Sequence, residues 1–387
     1  MDLMTVAFGF LKYFLFTVAL IAAAIWLFLK TAPVFGGQSQ ASSDERIAQS
    51  TNFSQGQFKN LAPTTLSTRG PDSKSSFWRW FFPASDKNPS APLPSMRFQP
   101  DQMTDNQFIW LGHSTILIRT RDKFLITDPV FYRASPLPVF GKPFAIEDPI
   151  KIKNLPKIDV VVISHDHYDH LDAKAIRYLA SRVEKFFVPL GVRAHLERWG
   201  VKADRIIELD WYESAAFDHV DLTLTPARHF SGRGFNDRNK TLWGSWVIDT
   251  QSLKIFFSGD TGYSETFSEI GERYGPFDFA FMENGAYNKD WAQIHMLPEE
   301  GIQASIDLRA RFYFPIHWAK FDLSLHPWDE PILRASVEAE KRGVTIVTPL
   351  IGERFGSALT PQRRWWEGLR ALNGEVQSQK EPIQTAQ

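Results

Sequence analysis

The longest apolar stretch of the chain lies near its start. Residues 13–29 run between Lys12 and Lys30, with Thr17 as the one clearly polar member, and residues 3–11 extend the run upstream. A helix needs about 17–25 apolar residues to cross the hydrocarbon core of a bilayer. The pattern therefore predicts one N-terminal transmembrane helix.

A cleaved signal peptide is the alternative explanation of this stretch. Its apolar core would be shorter, about 7–15 residues, and would end in a small-x-small site. Here the alanines at 22–24 lie inside the run and the bulky residues 26–29 end it, which favours a retained anchor. We predict a single-pass anchor in a bacterial inner membrane. Because Lys12 and Lys30 flank the run about equally, the side that carries the rest of the chain is left open.

Four short apolar runs further along predict buried strands, and each is followed by side chains that bind metals. Four strand ends that point one way would build a single pocket. The runs are 158–163 before the segment 164–170, 222–227 before His229, 254–257 before Asp260, and 312–316 before His317.

The segment 164–170 reads Ser-His-Asp-His-Tyr-Asp-His and places three imidazoles and two carboxylates within seven residues. A lone histidine near a strand is usually a hydrogen-bonded structural residue, but chance clustering of this kind is rare. Half-buried histidines this close would also repel one another if protonated. Imidazole and carboxylate without thiolate suit zinc, iron or manganese, so the sequence predicts a metal centre.

The ordered ligand set resembles that of the metallo-β-lactamase-fold hydrolases. Within them, the chain is similar to the N-acyl-phosphatidylethanolamine-hydrolysing phospholipase D branch, over roughly residues 95–370. The resemblance is specific for fold and metal site and less specific for substrate. The supporting strings are Trp-Leu-Gly-His-Ser-Thr at 110–115, Thr-Asp-Pro-Val-Phe at 127–131, residues 165–171, Thr-Pro-Ala-Arg-His at 225–229, Gly-Asp-Thr-Gly-Tyr at 259–263 and Pro-Ile-His-Trp at 315–318.

The resemblance implies an α/β (α+β) fold, the four-layer αββα sandwich, here preceded by the transmembrane helix. It also implies two divalent metal ions, which we expect to be zinc, with iron and manganese as alternatives. The implied ligands are His165, His167 and His229 for the first ion, Asp169, His170 and His317 for the second, and Asp260 between the two. Asp169 and Asp260 are the expected catalytic residues.

The predicted function is a membrane-associated phosphodiesterase of the phospholipase D type. It would cleave N-acyl phosphatidylethanolamine or a related phospholipid through metal-activated hydroxide, with Asp169 orienting the nucleophile or moving a proton. The alternatives are a hydrolase of the same fold acting on a lactone, an amide or another phosphodiester, and a non-enzymatic metal-binding scaffold. The chain has no cysteine, so the Asp-Cys-His site of some β-lactamases cannot form.

Several further polar residues have less motif support. His113 and His295 are candidate substrate contacts, and the family has a string similar to the His-Met-x-Pro-Glu-Glu that begins at His295; for His113 a turn residue is the alternative. Asp128 precedes a proline and is interpreted as a turn former. The remaining histidines without motif context are expected at the surface: His195, His219 and His326.

Composition suggests how the chain is organised. We divide it into an anchor (1–35), a linker with an aromatic-rich extension (36–94), the catalytic domain (95–373) and a disordered tail (374–387). The segment 77–82, Phe-Trp-Arg-Trp-Phe-Phe, would pack on the catalytic domain or face membrane and acyl chains. With a net charge of −1 and no basic block, nucleic acid is a poor partner. The expected partners are the membrane and a phospholipid or other small ester, and the oligomeric state is not predicted.

Overall fold

A computed structural model describes residues 3–38, 41–68 and 86–369, without the side chains of 3–7 and 41–43. The aromatic segment 77–82 and the tail 374–387 lie outside the described residues. The first element, α1, is the helix Leu3–Thr31. Its part Phe8–Thr31, with a mean hydropathy of 2.1, has no buried residue in the described chain and is a candidate membrane span.

The segment after α1 differs from the predicted linker. It contains a second helix, α2 (Ala41–Gln49), and a short hairpin of β1 (Phe53–Ser54) and β2 (Gln57–Phe58). Ile47 and Phe58 are buried in the same apolar core as the sheets. The linker prediction is therefore wrong for these residues, because a few large apolar side chains dock a segment whose overall composition is polar.

In the part of the chain that the structure describes, thirteen further strands form two sheets. The first sheet comprises β3 (Gln107–Trp110), β4 (Ile116–Thr120), β5 (Lys123–Thr127), β6 (Val160–Val162), β7 (Lys185–Pro189), β8 (Ile206–Leu209) and β15 (Arg354–Gly356), in the order β15-β3-β4-β5-β6-β7-β8. The second comprises β9 (Ser214–Phe217), β10 (Val220–Thr225), β11 (Ser245–Asp249), β12 (Lys254–Phe257), β13 (Phe277–Glu283) and β14 (Ala310–Ile316), in the order β14-β13-β12-β11-β10-β9. In the first sheet β3, β5 and β6 run in one direction, and so do β10, β12, β13 and β14 in the second.

The sheets pack face to face with helices outside. On the first sheet lie α3 (Ala173–Leu179) and α4 (Arg193–Arg198), and on the second α5 (Thr266–Tyr274), α6 (Pro298–Asp307) and α7 (Glu330–Arg342). Side chains alternate across each strand: Val160 and Val162 face the core between the sheets, whereas Val161 faces the helices. This arrangement confirms the predicted four-layer αββα sandwich.

Aromatic side chains fill the space between the sheets. Phe108 of the first sheet lies with its ring centroid 4.9 Å from Phe279 and 5.3 Å from Phe281, both of the second sheet. Its ring also lies 5.3 Å from Phe355 on the neighbouring strand. Edge-to-face contacts of this kind add to the free energy gained by burying the rings. Much of the aromatic content therefore serves packing.

We expect Phe108→Ala to lower the free energy of unfolding by about 3–5 kcal/mol, because it leaves a cavity between the sheets. Urea unfolding in detergent micelles, followed by tryptophan fluorescence, measures the change. Val337→Ala on the exposed side of α7 is the control and should change the free energy by at most about 0.5 kcal/mol. Equal effects of the two substitutions would contradict the role of Phe108.

Candidate metal centre

The candidate site lies where strand ends of both sheets meet. Strands that run in one direction end at the same edge of a sheet. The loops after β3 and β6 carry His113 and the segment 164–170, and those after β10, β12 and β14 carry His229, Asp260 and His317. The structure thus brings together all seven residues predicted as metal ligands.

A first group of side chains comprises His165, His167, His229 and Asp260, whose candidate ligand atoms lie within 4.8 Å of one another. His167 Nδ1 is 2.8 Å from His165 Nε2 and 3.2 Å from His229 Nε2. Asp260 Oδ2 lies 3.9 Å from both His165 Nε2 and His229 Nε2. Three imidazole nitrogens and one carboxylate oxygen therefore surround one point.

A second group of side chains lies beside the first and comprises His113, Asp169, His170 and His317. Asp169 Oδ2 lies 3.1 Å from His113 Nε2, 3.1 Å from His317 Nε2 and 3.5 Å from His170 Nε2. Asp260 reaches this group as well, with Oδ1 3.1 Å from His170 Nε2 and Oδ2 3.1 Å from His317 Nε2. The Asp260 carboxylate thus faces both groups, which is the position that a bridging ligand requires.

His113 lies deeper than a substrate contact would. Its ring is buried, contacts Asp169 and packs against His317 at a centroid distance of 4.1 Å. His113 has a φ of 57° and its carbonyl accepts a hydrogen bond of 3.2 Å from the backbone N–H of His317. The structure therefore places His113 among the ligand candidates rather than at an open surface.

In His229 and His170, the ring nitrogen Nδ1 contacts a hydrogen-bond acceptor that belongs to the fold. His229 Nδ1 lies 2.9 Å from the carbonyl oxygen of Ile294, and His170 Nδ1 lies 2.7 Å from Asp128 Oδ2. Because a carbonyl oxygen only accepts, the Nδ1 of His229 carries the proton and its Nε2 presents a lone pair to the site. Partners of this kind orient imidazole ligands around metals.

Asp128 has a larger role than the turn former that the sequence suggested. It is buried at the end of β5, where its carboxylate accepts hydrogen bonds from the backbone N–H (2.8 Å) and the hydroxyl (2.6 Å) of Ser164. Together with its contact to His170, this ties β5 to the loop after β6. Asp128 directly follows a strand, as the predicted ligands do, and this position in the sequence could have indicated its role.

Glu283 was missed by the sequence interpretation. It is the buried last residue of β13, accepts a hydrogen bond of 2.6 Å from the backbone N–H of Thr261 and contacts His295 Nδ1. Together with Asp260 and His317, these two residues form a third group with ligand atoms within 4.8 Å. His295 is half-buried at the side of this group, so it stays a candidate substrate contact.

The buried charges of the site depend on one another. Burial opposes the charged form of Asp260, but His170 and His317 outweigh it and hold the pKa of Asp260 well below its usual range. Burial likewise opposes the charge on His317, yet Asp260 and Asp169 raise the pKa of that imidazole to about 10. Burial lowers the pKa of His165. The carboxylates thus need compensating positive charge within the site.

Three histidines expected at the surface are largely buried. His195 Nε2 lies 3.3 Å from Asp166 Oδ2, His219 Nε2 lies 3.1 Å from the Thr120 hydroxyl, and His326 stacks on Tyr287. Each ring has a polar or aromatic neighbour within the fold. The surface prediction is wrong because these partners come from distant parts of the sequence.

Comparisons with known proteins agree with this fold. A family model described as the β-lactamase superfamily domain matches residues 124–318 of the 387-residue chain. Among solved structures, a possible metal-dependent hydrolase from Veillonella parvula has a TM-score of 0.51 at 16% identity, covering 65% of this chain and 100% of that one. A likeness at this identity concerns the fold alone.

Two curated relatives are informative. An uncharacterized protein of Mycobacterium tuberculosis is 40% identical over 360 residues, which covers 90% of this chain and 96% of that protein. A Caenorhabditis elegans protein named N-acyl-phosphatidylethanolamine-hydrolyzing phospholipase D 1 is 34% identical over 262 residues, covering 63% of this chain and 74% of that protein. From the family match, these relatives and the fold, the chain belongs to the metal-dependent hydrolases of the metallo-β-lactamase superfamily.

Proposed function

We propose that the chain is a membrane-anchored phosphodiesterase of the phospholipase D type that hydrolyses N-acyl phosphatidylethanolamine or a related phospholipid. The observation that carries the proposal is the convergence of two ligand groups on Asp260 at one sheet edge. Two metal sites that share a carboxylate suit displacement at phosphorus. The lipid substrate is supported by the motif strings, by the name of the C. elegans relative and by α1, which we propose anchors the chain in a bacterial inner membrane.

The side chains fit divalent metal ions. His170 Nε2 and Asp260 Oδ1 are buried 3.1 Å apart, and neither has a hydrogen-bond partner among the described residues. Two such lone pairs repel each other unless a cation or a proton lies near them. We propose zinc, because imidazole and carboxylate donors suit this ion. His165, His167 and His229 would hold one ion, Asp169, His170 and His317 the other, and Asp260 both.

Bound divalent ions would supply Lewis-acid chemistry, lowering the pKa of water and neutralising charge on phosphoryl oxygens. Asp169 would orient the attacking water and accept its proton, and His113 holds the Asp169 carboxylate in place. Burial lowers the pKa of His295 to about 4, so its imidazole is neutral at pH 7. We propose that His295 contacts the phosphodiester. Addition of water across the bond between phosphorus and the ethanolamine oxygen would yield phosphatidic acid and an N-acylethanolamine.

The function is tested by phosphatidic acid release from a long-chain N-acyl phosphatidylethanolamine in mixed micelles, using the full chain loaded with zinc. We expect release by the unsubstituted chain and a rate about 10²–10⁴-fold lower for Asp169→Asn, because a positioned proton acceptor is lost. Asp122→Asn, at a position that is 79% exposed, is the matched control and should retain full activity. No release from the metal-loaded chain would contradict the lipid assignment, and a lactone and phosphodiester panel would then find the substrate.

Asp128→Asn should weaken zinc binding by about 10–100-fold, because the neutral amide holds the His170 ring less firmly than the carboxylate does. Competition with a chelating dye measures the affinity, and circular dichroism checks that the fold is kept. Asp122→Asn again serves as the control. An affinity that Asp128→Asn leaves unchanged would show that Asp128 does not support the metal centre.

Zinc binding to the ion-free chain at pH 7 should release at least about one proton per chain. The pKa of His317 is raised to about 10 in the absence of metal, so its imidazole holds a proton at pH 7 that a metal must displace. The apparent affinity should accordingly rise as the pH increases from 7 towards 10. Titration calorimetry in buffers of different protonation enthalpy counts the protons, and a heat of binding that is independent of the buffer would contradict the expectation.

A further inference from the structure

The end of α1 is fixed to the folded domain by hydrogen bonds. Trp199 Nε1 donates to the carbonyl oxygen of Pro33 at 2.6 Å, and Arg233 donates from Nε and Nη2 to that of Val34 at 3.0 and 2.8 Å. Arg198 Nη2 donates to the last helical carbonyl, that of Thr31, at 3.1 Å. The carbonyl group of Thr31, at the helix end, has no partner inside the helix, so Arg198 satisfies it. Trp199 and Arg233 hold the residues that follow the helix. The helix therefore leaves the domain at a defined place.

Two loops lie beside this junction. The first loop is 133–143, whose two ends border a cavity of about 610 Å³ together with Pro33 and Val34. Residues 234–237 border a second cavity of about 950 Å³ together with Trp26 and Leu29. Trp26 and Leu29 belong to the candidate span Phe8–Thr31. A membrane that surrounds this span therefore reaches the level of the second loop.

Both loops expose large apolar side chains. Val139 and Phe140 in the first loop are 75% and 62% exposed, and Phe235 in the second is 84% exposed. Single exposed apolar side chains are ordinary on protein surfaces, but these lie on two loops that border cavities next to the last residues of α1 and those that follow it. Aromatic side chains are favoured at the boundary between membrane and water. The loop tips therefore have the chemistry of membrane-contacting surfaces.

Basic residues line the first cavity. Arg133, Lys142, Lys174 and Arg177 face it, and among the described residues its one acidic side chain is Asp172, which caps α3. Lys142 and Arg177 have no acidic partner within the described part of the chain. Anionic lipids attract basic residues placed near a membrane surface. The charge around the loops thus complements phospholipid headgroups.

We propose that the two loops, 133–143 and 234–237, form a membrane-docking face that rests on anionic phospholipids, with Val139, Phe140 and Phe235 inserted among the headgroups. The proposal rests on the proposed anchoring by α1. Anchor and loops together hold the domain in one orientation on the bilayer. Arg233, which borders the first cavity, also donates to the carbonyl oxygens of Asp166 and Leu171, so it connects this side of the domain to the loop that carries the candidate ligands.

Spin labels test the proposal, since the chain has no cysteine and single cysteines can be introduced freely. Phe140→Cys and Phe235→Cys are labelled in the full chain, reconstituted in discs of phosphatidylcholine and phosphatidylglycerol. Val337→Cys is the matched control, because Val337 is 64% exposed on α7 at the opposite outer layer. We expect the ratio of accessibility to oxygen over that to a water-soluble nickel chelate to be several-fold higher at 140 and 235 than at 337. Equal ratios at all three positions would overturn the docking face.

A fourth label distinguishes this failure from failure of the anchor. Phe16→Cys lies in the middle of α1, and its label should be the most lipid-immersed. A lipid-immersed label at 16 with water-exposed labels at 140 and 235 overturns the docking face and leaves the anchor intact. A water-exposed label at 16 overturns both.

The role of the cations has its own test. Lys142→Glu with Arg177→Glu, combined with the label at 140, should move that label towards water because the glutamates repel the anionic headgroups. Lys341→Glu on α7 is the control substitution and should leave the label where it was. An unchanged position in the double variant overturns the assignment of these cations to headgroup phosphates.

Discussion

The positions of the candidate metal ligands depend on the distance between the two sheets. The ligand candidates come from the ends of strands in both sheets, and the aromatic layer around Phe108 sets how far apart those ends lie. Packed aromatic cores are close to incompressible and transmit strain. Strand ends that must converge to within hydrogen-bonding distance therefore need this stiff interior. The geometry of the candidate metal centre is therefore a property of the sandwich as a whole.

A second constraint is electrostatic. Asp169 and Asp260 are carboxylates held among imidazoles in a region that excludes most water, so their charges must be balanced locally. The backbone accommodates this crowding at some cost. His113 and His317 both adopt positive φ values, 57° and 65°, which cost of order 1–3 kcal/mol each for residues other than glycine. Such conformations persist because the surrounding hydrogen bonds define them, and they turn both rings towards Asp169.

The family resemblance of the strand-end motifs implied the sandwich. Strand periodicity and strand-end chemistry, which are local signals, predicted which residues meet in one pocket. Long-range pairing was harder to predict. The proline after Asp128 predicts only a turn, because the partners Ser164 and His170 lie far along the chain. The sequence predicts a surface position for His195 because the residue has no motif context, and its acceptor Asp166 lies 29 positions away. Residues 41–58 resembled a linker because composition averages over the few apolar side chains that dock them.

The contacts of Arg233 have a practical consequence for producing the protein without its apolar helix. The guanidinium joins the carbonyl oxygen of Val34 to those of Asp166 and Leu171, so residues just beyond the helix form part of the support for the ligand loop. Removing residues 1–36 would delete the carbonyl acceptors of the Trp199 and Arg233 side chains. Both side chains would then need water as a hydrogen-bond partner. The useful expression boundary therefore lies before residue 31, within the last turn of the helix rather than at the start of the sandwich.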